Sequence, residues 1–173
     1  FSSIAQIGFI LIGISGSSVM GTASSVYFIL IYVFSNLGAF GVVSVISSMT
    51  GKENISDYKG LYKTNPFLSW ILTLSLFSLA GIPPTAGFFG KLFLLTSGAS
   101  QGNYLLITIA ALNMIISLYY YLKIVRAIFM DKNETPIETL KGSMSGNLAL
   151  IICAAGIILV GLMSNIYEYI NSI

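Results

Sequence analysis

The chain has 173 residues, of which 55% are hydrophobic and only 8% are charged, and its mean hydropathy is +0.89. Soluble domains carry about 25% charged residues, so this composition excludes an ordinary soluble domain. The formal net charge of +2 and the lack of a basic stripe exclude a nucleic-acid partner, and the lack of histidine removes the commonest metal and haem ligand. Almost every helix-length window is apolar, which predicts an all-α, polytopic transmembrane helical bundle inserted in a lipid bilayer.

The apolar stretches predict about five membrane spans, since roughly 20 apolar residues are needed to cross the hydrocarbon core. In chain order these stretches are 1–15, 22–49, 66–98, 103–130 and 146–164. We expect residues 1–173 to form a single membrane domain. Because the chain begins inside an apolar stretch and without an initiator methionine, we expect this domain to be part of a longer protein.

The third stretch is interrupted at Gly81-Ile82-Pro83-Pro84. Two prolines remove two backbone donors and clash with the preceding turn, so a continuous helix cannot pass through this point. Residues 66–98 are therefore either a hairpin of two short helices or one crossing that is broken in the middle.

The distribution of Lys and Arg favours the broken crossing. Cations cluster in the segments 50–65 and 123–141, whereas the connections 16–21 and 99–102 hold none. With one broken crossing, both positive segments fall on the same side of the membrane, as the positive-inside rule favours. The rule then places the loops 50–65 and 131–145 in the cytoplasm.

Within the first of these loops, Asp57, Tyr58 and Gly60 suit a turn at the membrane surface.

One cation, Lys91, lies inside an apolar span, seven residues after Pro84. A lysine at the centre of a membrane helix costs at least about 2.5–3.5 kcal/mol, which indicates a functional site. Burial disfavours the charged form of the amine, so such a lysine can release and accept protons as a relay requires. Breaks beside ionisable groups are typical of ion pathways in transporters. The alternatives are a side chain that snorkels to the outer face, or a static pair with a carboxylate on another helix.

Polar residues on other spans are candidates for the rest of a proton path. Four residues of the fourth span share one helix face by their i, i+4, i+7, i+8 spacing, namely Asn113, Ser117, Tyr120 and Tyr121. A fifth candidate, Asn36, lies on the second span. The alternative for each is an interhelical hydrogen bond without a role in transport. The sequence holds no CxxC motif, metal-ligand cluster, phosphate loop or nucleophile–base pair, so we expect this chain to bind no cofactor and no metal.

Several motifs occur in an order that is similar to a known family. They are SSIAQIG at 2–8, NLGAFGV at 36–42, DYKGL at 57–61, SLAGIPPTAGFFGK at 78–91 and SLYYYLK at 117–123. Together they resemble the C-terminal part of the subunit N family of proton-pumping NADH–quinone oxidoreductase (respiratory complex I; chain 2 in mitochondria). The sibling subunits L and M and the multisubunit cation/proton antiporters share the outline, but they usually carry a His and a Lys in the second span. Residues 34–40 contain neither.

The resemblance implies an antiporter-like subunit with a discontinuous helix, in which Lys91 matches the position of a proton-relay lysine. It implies a hetero-oligomer with other membrane-arm subunits, and NADH, flavin, iron–sulfur clusters and quinone in those partners. It also implies the cytoplasmic membrane of a bacterium. The alternatives are a cation/proton antiporter subunit and a purely structural membrane-arm subunit.

Overall fold

A computed structural model of the chain describes residues 2–15, 18–162, 168 and 170, and the regular structure in these ranges is helical throughout. The elements are α1 (Ser2–Ile14), α2 (Val19–Thr50), a short 3-10 helix (Ile55–Tyr58), α3 (Leu61–Thr64), α4 (Pro66–Ala80), α5 (Ala86–Ser100), α6 (Tyr104–Phe129) and α7 (Met144–Leu162). The predicted all-α class is confirmed.

Three of these helices, α2, α6 and α7, are long and apolar enough to cross a membrane, and α1 and α4 are apolar but shorter. The helices begin and end within a few residues of the predicted stretches. Residue 1 of the first predicted span, residues 16 and 17 of the first connection, and residues 163 and 164 of the last span lie outside the described residues.

Local sequence signals explain where the helices begin and end. The Ser18 side chain accepts a hydrogen bond from the Gly21 amide at 3.0 Å and so caps the start of α2. Pro66 occupies the first turn of α4, where its missing N–H costs nothing. Gly51 and Gly81 end α2 and α4 in the left-handed conformation, with φ of 67° and 82°.

Helices α4 and α5 lie one after the other along α2. Passing along α2 from its start, the neighbours run backwards through α5 and then α4: Gly21 with Ser97, Phe28 with Gly90, Ser35 with Ser78, and Gly38 with Ser75. A side-by-side hairpin would instead place both helices at the same level of α2. The break at residues 81–84 therefore divides one extended path, as the broken-crossing interpretation predicts.

The two cation-bearing segments meet at one end of the bundle. The Gly60 amide donates to the Ala127 carbonyl at 2.9 Å, which fixes the 50–65 loop against the end of α6. The Asn65 side chain donates to the Glu138 carbonyl at 3.0 Å and accepts from the Leu140 amide at 2.8 Å. The side-chain amide of Asn65 therefore joins the 50–65 loop to the 131–145 linker.

The connections without cations meet elsewhere. The Gln101 side chain donates to Ser18 Oγ at 2.9 Å, and the Asn103 side chain donates to Ser15 Oγ at 3.4 Å. The start of α2 therefore lies beside the α5–α6 connection. The uncharged connections lie at the start of α2, whereas the cationic 50–65 loop follows its end, so the length of α2 separates the two sets.

The 50–65 loop differs from the prediction in one respect. Gly60 adopts the left-handed conformation expected of a turn, with φ of 71°. Tyr58, which we placed at the membrane surface, is only 4% exposed because its ring packs into the main core cluster between α2, α4 and α6.

The two halves of the broken path touch where Gly87 of α5 meets α4. A Cβ on Gly87 would overlap the backbone carbonyl of Ser78, which cannot move without shifting α4. We expect Gly87→Ala to destabilise the fold by about 1–3 kcal/mol, as overpacking a tight core does. Gly8→Ala on α1 is the matched control, because a Cβ there meets nothing within 4 Å. Thermal unfolding of the two variants of the complete protein checks this, and equal midpoints would contradict it.

Candidate functional site

The candidate site is built on the end of α4. The last carbonyls of a helix have no intrahelical partner and must be satisfied by other donors. Here the Gly81 amide donates to the Ser78 carbonyl at 3.1 Å and the Ile82 amide donates to the Phe77 carbonyl at 3.0 Å, and this pair of bonds is a Schellman motif. The motif leaves the carbonyls of Leu79 and Ala80 to be satisfied from outside the helix.

Lys91 satisfies both remaining carbonyls. Its Nζ donates to Leu79 O at 2.7 Å and to Ala80 O at 3.3 Å, and the residue is 0% exposed. The Phe9 ring lies below the amine, with its centroid 5.0 Å from Nζ, so the ring face supplies a third favourable contact for a cation. In the structure Lys91 is therefore buried beside the break, as the sequence predicts.

The partners of Lys91 are all neutral. Among the described residues, the ion pair that the structure contains joins Arg126 to Asp131, at 3.4 Å near the surface, and Lys91 has no carboxylate partner. Carbonyl oxygens and an aromatic face stabilise the ammonium form of the lysine although they carry no negative charge of their own. They also accept hydrogen bonds from a neutral amine. The site therefore accommodates either protonation state of Lys91.

Gly81 makes room for the lysine. A Cβ built on Gly81 would lie 3.1 Å from Lys91 Cδ and 3.7 Å from Nζ. The glycine thus has two roles: it adopts the left-handed conformation that ends α4, and it leaves space for the lysine stem. Pro83 and Pro84, the other predicted residues of the break, are exposed and joined by a cis peptide bond.

Gln6 is a site residue that the sequence reasoning missed. It is 1% exposed, its Nε2 donates to Leu79 O at 3.0 Å, and it lies 3.5 Å from the Tyr121 hydroxyl. The Leu79 carbonyl is thus shared between Gln6 and Lys91. The available signal was a single amide side chain in the otherwise apolar or small-residue segment Ser2–Ile14.

The predicted polar residues of α6 divide into two groups. Tyr121 is buried, and its hydroxyl is hydrogen-bonded to Ser2 and to Gln6. Tyr120 donates to Ser117 Oγ at 3.2 Å on the same helix. Tyr121 is therefore linked to Lys91 through Gln6 and the Leu79 carbonyl.

Asn36 and Asn113 lie in separate cavities. Asn36 is half-buried and lines a cavity of about 260 Å³ together with Tyr121. Asn113 lines a different cavity of about 420 Å³ between α1 and α6, whose other walls include Phe9 and Ile12. The structure does not join these five predicted residues into one continuous hydrogen-bonded row.

Tyr58 is a second residue of interest that was predicted only as part of a turn. It lines the same 260 Å³ cavity as Asn36, and its buried hydroxyl has no hydrogen-bond partner within the described ranges. Burial, and after it the nearby charges of Glu53 and Asp57, raise the pKa of this hydroxyl above its ordinary value. The group therefore stays protonated and available as a donor.

An apolar helical bundle with three membrane-length helices and a lysine buried at a helix break is an integral membrane protein. A model of the NADH:quinone oxidoreductase/Mrp antiporter transmembrane family matches residues 1–117. The chain belongs to this family.

Relatives extend the match over the whole chain. The chain is 46% identical over 172 residues to NADH-quinone oxidoreductase subunit N of Phocaeicola vulgatus, a match that covers 99% of this chain and 36% of that protein. The chain therefore spans about a third of the length of the curated relatives it matches.

Solved structures share the fold. A chain of respiratory complex I from Thermus thermophilus with bound Aureothin matches with a TM-score of 0.80 and 28% identity, over 95% of this chain and 37% of that one. A chain of the Mrp complex from Dietzia sp. matches with a TM-score of 0.87 and 20% identity, over 99% and 40%. At 20% identity the second match shows the fold alone.

The contact between Gly81 and Lys91 can be measured by a double-mutant cycle. Gly81→Ala adds left-handed strain and a contact with the lysine stem, whereas Gly51→Ala adds the same strain in open space. We expect Gly81→Ala and Lys91→Ala to be non-additive by on the order of 1 kcal/mol, and Gly51→Ala and Lys91→Ala to be additive. Thermal unfolding of the complete protein gives both cycles. Additivity in both would show that Gly81 serves only to end α4.

Proposed function

We propose that the chain is part of a proton-translocating membrane subunit of NADH:quinone oxidoreductase, with Lys91 as a proton-relay residue. The single observation that carries the proposal is the neutral, fully buried setting of Lys91 at the helix break. The 46% identity to a subunit N along nearly the whole chain supports this branch of the family. In this reading the enzyme is a translocase, and this chain contributes to its membrane part.

The energetics of the site suit a relay. A charged lysine in the membrane interior costs about 2.5–3.5 kcal/mol or more, so its charge needs local support. The two carbonyls and the Phe9 ring give that support without a permanent anion. A permanent ion pair would hold the proton, whereas neutral partners let a charge elsewhere in the complex decide whether it stays. Protons can then pass through Lys91 without trapping.

Electron transfer belongs to other chains in this proposal. NADH, flavin, iron–sulfur clusters and quinone would be bound by partner subunits, and this chain would receive energy from them through the membrane arm. The sequence offers no ligand set for a redox centre. The partners are the other membrane-arm subunits and the surrounding bilayer.

The proposed orientation places the 50–65 and 131–145 loops on the cytoplasmic side of a bacterial membrane. The contact of Asn65 with Glu138 and Leu140 supports it, because it keeps both cationic segments at one end of the bundle. Positive loops prefer the cytoplasmic side.

A second candidate is a subunit of a cation/proton antiporter. The observation in its favour is the fold match to the Mrp complex, with a TM-score of 0.87. Na⁺-dependent transport by the native protein, independent of NADH oxidation, would favour this candidate. A purely structural role is the third possibility, in which Lys91 stabilises the break and moves no proton.

The relay is tested by Lys91→Met in the complete complex. We expect assembly and NADH oxidation to remain measurable, and proton translocation per electron in sealed vesicles to fall sharply toward the uncoupled background. Methionine keeps most of the stem volume and removes the proton-binding group. Lys123→Met is the matched control, because Lys123 is exposed on α6 and we expect it to pump normally.

Native proton stoichiometry in Lys91→Met would overturn the relay. Loss of the assembled complex in Lys91→Met, with normal assembly of Lys123→Met, would favour the structural role instead.

A further inference from the structure

Gln6 is the one amide side chain of α1, a helix that is otherwise apolar or built from small residues. The residue is 1% exposed. Burying an amide is costly unless it is hydrogen-bonded, so a membrane helix gains nothing from a glutamine that only packs. The reason for this residue therefore lies in its hydrogen bonds.

Gln6 donates to a carbonyl that already has a donor. Its Nε2 lies 3.0 Å from Leu79 O, and Lys91 Nζ lies 2.7 Å from the same oxygen. The neighbouring Ala80 carbonyl has the longer contact with Lys91, 3.3 Å, and no second side-chain donor among the described residues. If Gln6 served only to satisfy the end of α4, Ala80 would be the carbonyl in greater need of it. The place of Gln6 is better explained by its closeness to Lys91.

The two side chains affect each other through the shared oxygen. Both nitrogens lie within 3.0 Å of Leu79 O and both donate to it, so the positive end of the amide N–H is close to the amine. Two donors on one carbonyl weaken each other. Because a hydrogen bond to the charged form of a group favours that form, a weaker bond from Lys91 to Leu79 favours release of the proton.

The Gln6 amide is also held from α6. Its Nε2 lies 3.5 Å from the Tyr121 hydroxyl, which is itself hydrogen-bonded to Ser2. This second contact keeps the amide in place whether or not Lys91 is charged. When the lysine loses its proton or turns away, Gln6 still satisfies the Leu79 carbonyl.

No acidic or basic side chain competes with this effect in the part of the chain that the structure describes. Helices α1, α2, α4 and α7 contain no Asp, Glu, Lys or Arg, and the two cations of α6 are exposed. Tyr121 is the titratable group that faces the amine, by way of the amide. Other titratable groups on these helices pack elsewhere: Tyr27 against Phe93 on a different face of α5, Tyr32 and Tyr120 against the main core cluster, and Cys153 against α2.

We propose that Gln6 is a positioning residue for Lys91. By sharing the Leu79 carbonyl, it weakens the binding of the ammonium and keeps the end of α4 satisfied when the proton leaves. The consequence for pumping rests on the proposed relay, but the sharing of the carbonyl does not.

The sharing is tested by a double-mutant cycle of Gln6→Met and Lys91→Met. Methionine keeps a stem of similar length and donates no hydrogen bond. Each single variant leaves Leu79 O with one of its two side-chain donors, whereas the double variant leaves it with neither. We therefore expect the fall in Tm of the double variant of the complete protein to exceed the sum of the two single falls.

Gln101→Met is the matched control for this cycle. Gln101 is the other glutamine of the chain, and it donates to Ser18 Oγ at 2.9 Å, at the far end of α5 from the break. The fall in Tm of Gln101→Met should add to that of Lys91→Met. Additivity in the Gln6 cycle as well would overturn the shared carbonyl.

The effect on proton release is tested by the pH dependence of proton translocation per electron, in sealed vesicles of the complete complex. Gln6→Met leaves the Leu79 carbonyl to Lys91 alone, so we expect the pH of half-maximal translocation to rise by about 0.5–1 unit. Gln6→Glu keeps the shape of the side chain and brings a carboxylate close to the ammonium, so we expect a rise of more than about 1 unit. Gln101→Met should leave this pH unchanged.

A lower stoichiometry at every pH, with an unmoved midpoint in the Gln6 variants, would show a packing role and overturn the proposal. If Gln6→Met does not assemble, the isosteric Gln6→Glu decides in the same way, and failure of both to assemble would make Gln6 a structural residue. Normal pumping by Lys91→Met would instead be a failure of the relay, and the double-mutant cycle would still decide whether the carbonyl is shared.

Discussion

The structure depends on how the end of α4 satisfies its backbone carbonyls away from water. In an apolar environment each unpaired carbonyl is costly, so a broken helix is tolerated only where other groups supply donors. The Schellman motif at Gly81 pairs two of the four carbonyls, and Lys91 pairs Leu79 and Ala80. The lysine is therefore part of the fold as well as a candidate for chemistry, because it replaces the hydrogen bonds that the break removes.

The two carbonyls bound by Lys91 are not equivalent. Leu79 O has a second donor in Gln6, whereas among the described residues Ala80 O has no side-chain donor other than Lys91. If the lysine moved, Leu79 would keep one hydrogen bond and Ala80 would need a new one, for which water is the natural source. Gln6 lies on α1 and contacts Tyr121 of α6, so the hydrogen bond at the Leu79 carbonyl also connects these two helices to the end of α4.

Sequence reasoning located the helices and the break, because apolar length and two consecutive prolines are local signals. It found Lys91 since a lone charge in an apolar run is conspicuous, but not its partners, which are backbone carbonyls brought close by the fold. Helical periodicity grouped Asn113 with Tyr121. Eight residues at roughly 100° each leave them about 80° apart on α6 and about 12 Å along it, so they face different cavities. Gln6 was missed because an uncharged amide is a weaker signal than a charge.

The fold alone does not distinguish the branches of the family, since the match to an Mrp complex chain at 20% identity is as close as that to a complex I chain. The distinction must come from what drives the site. A carboxylate held against a buried lysine would keep it charged, because a nearby opposite charge favours the ammonium form. Lys91 instead has carbonyls and an aromatic ring. Because these partners are neutral, charged groups elsewhere in the complex can determine whether Lys91 keeps its proton. The proposed relay requires this condition.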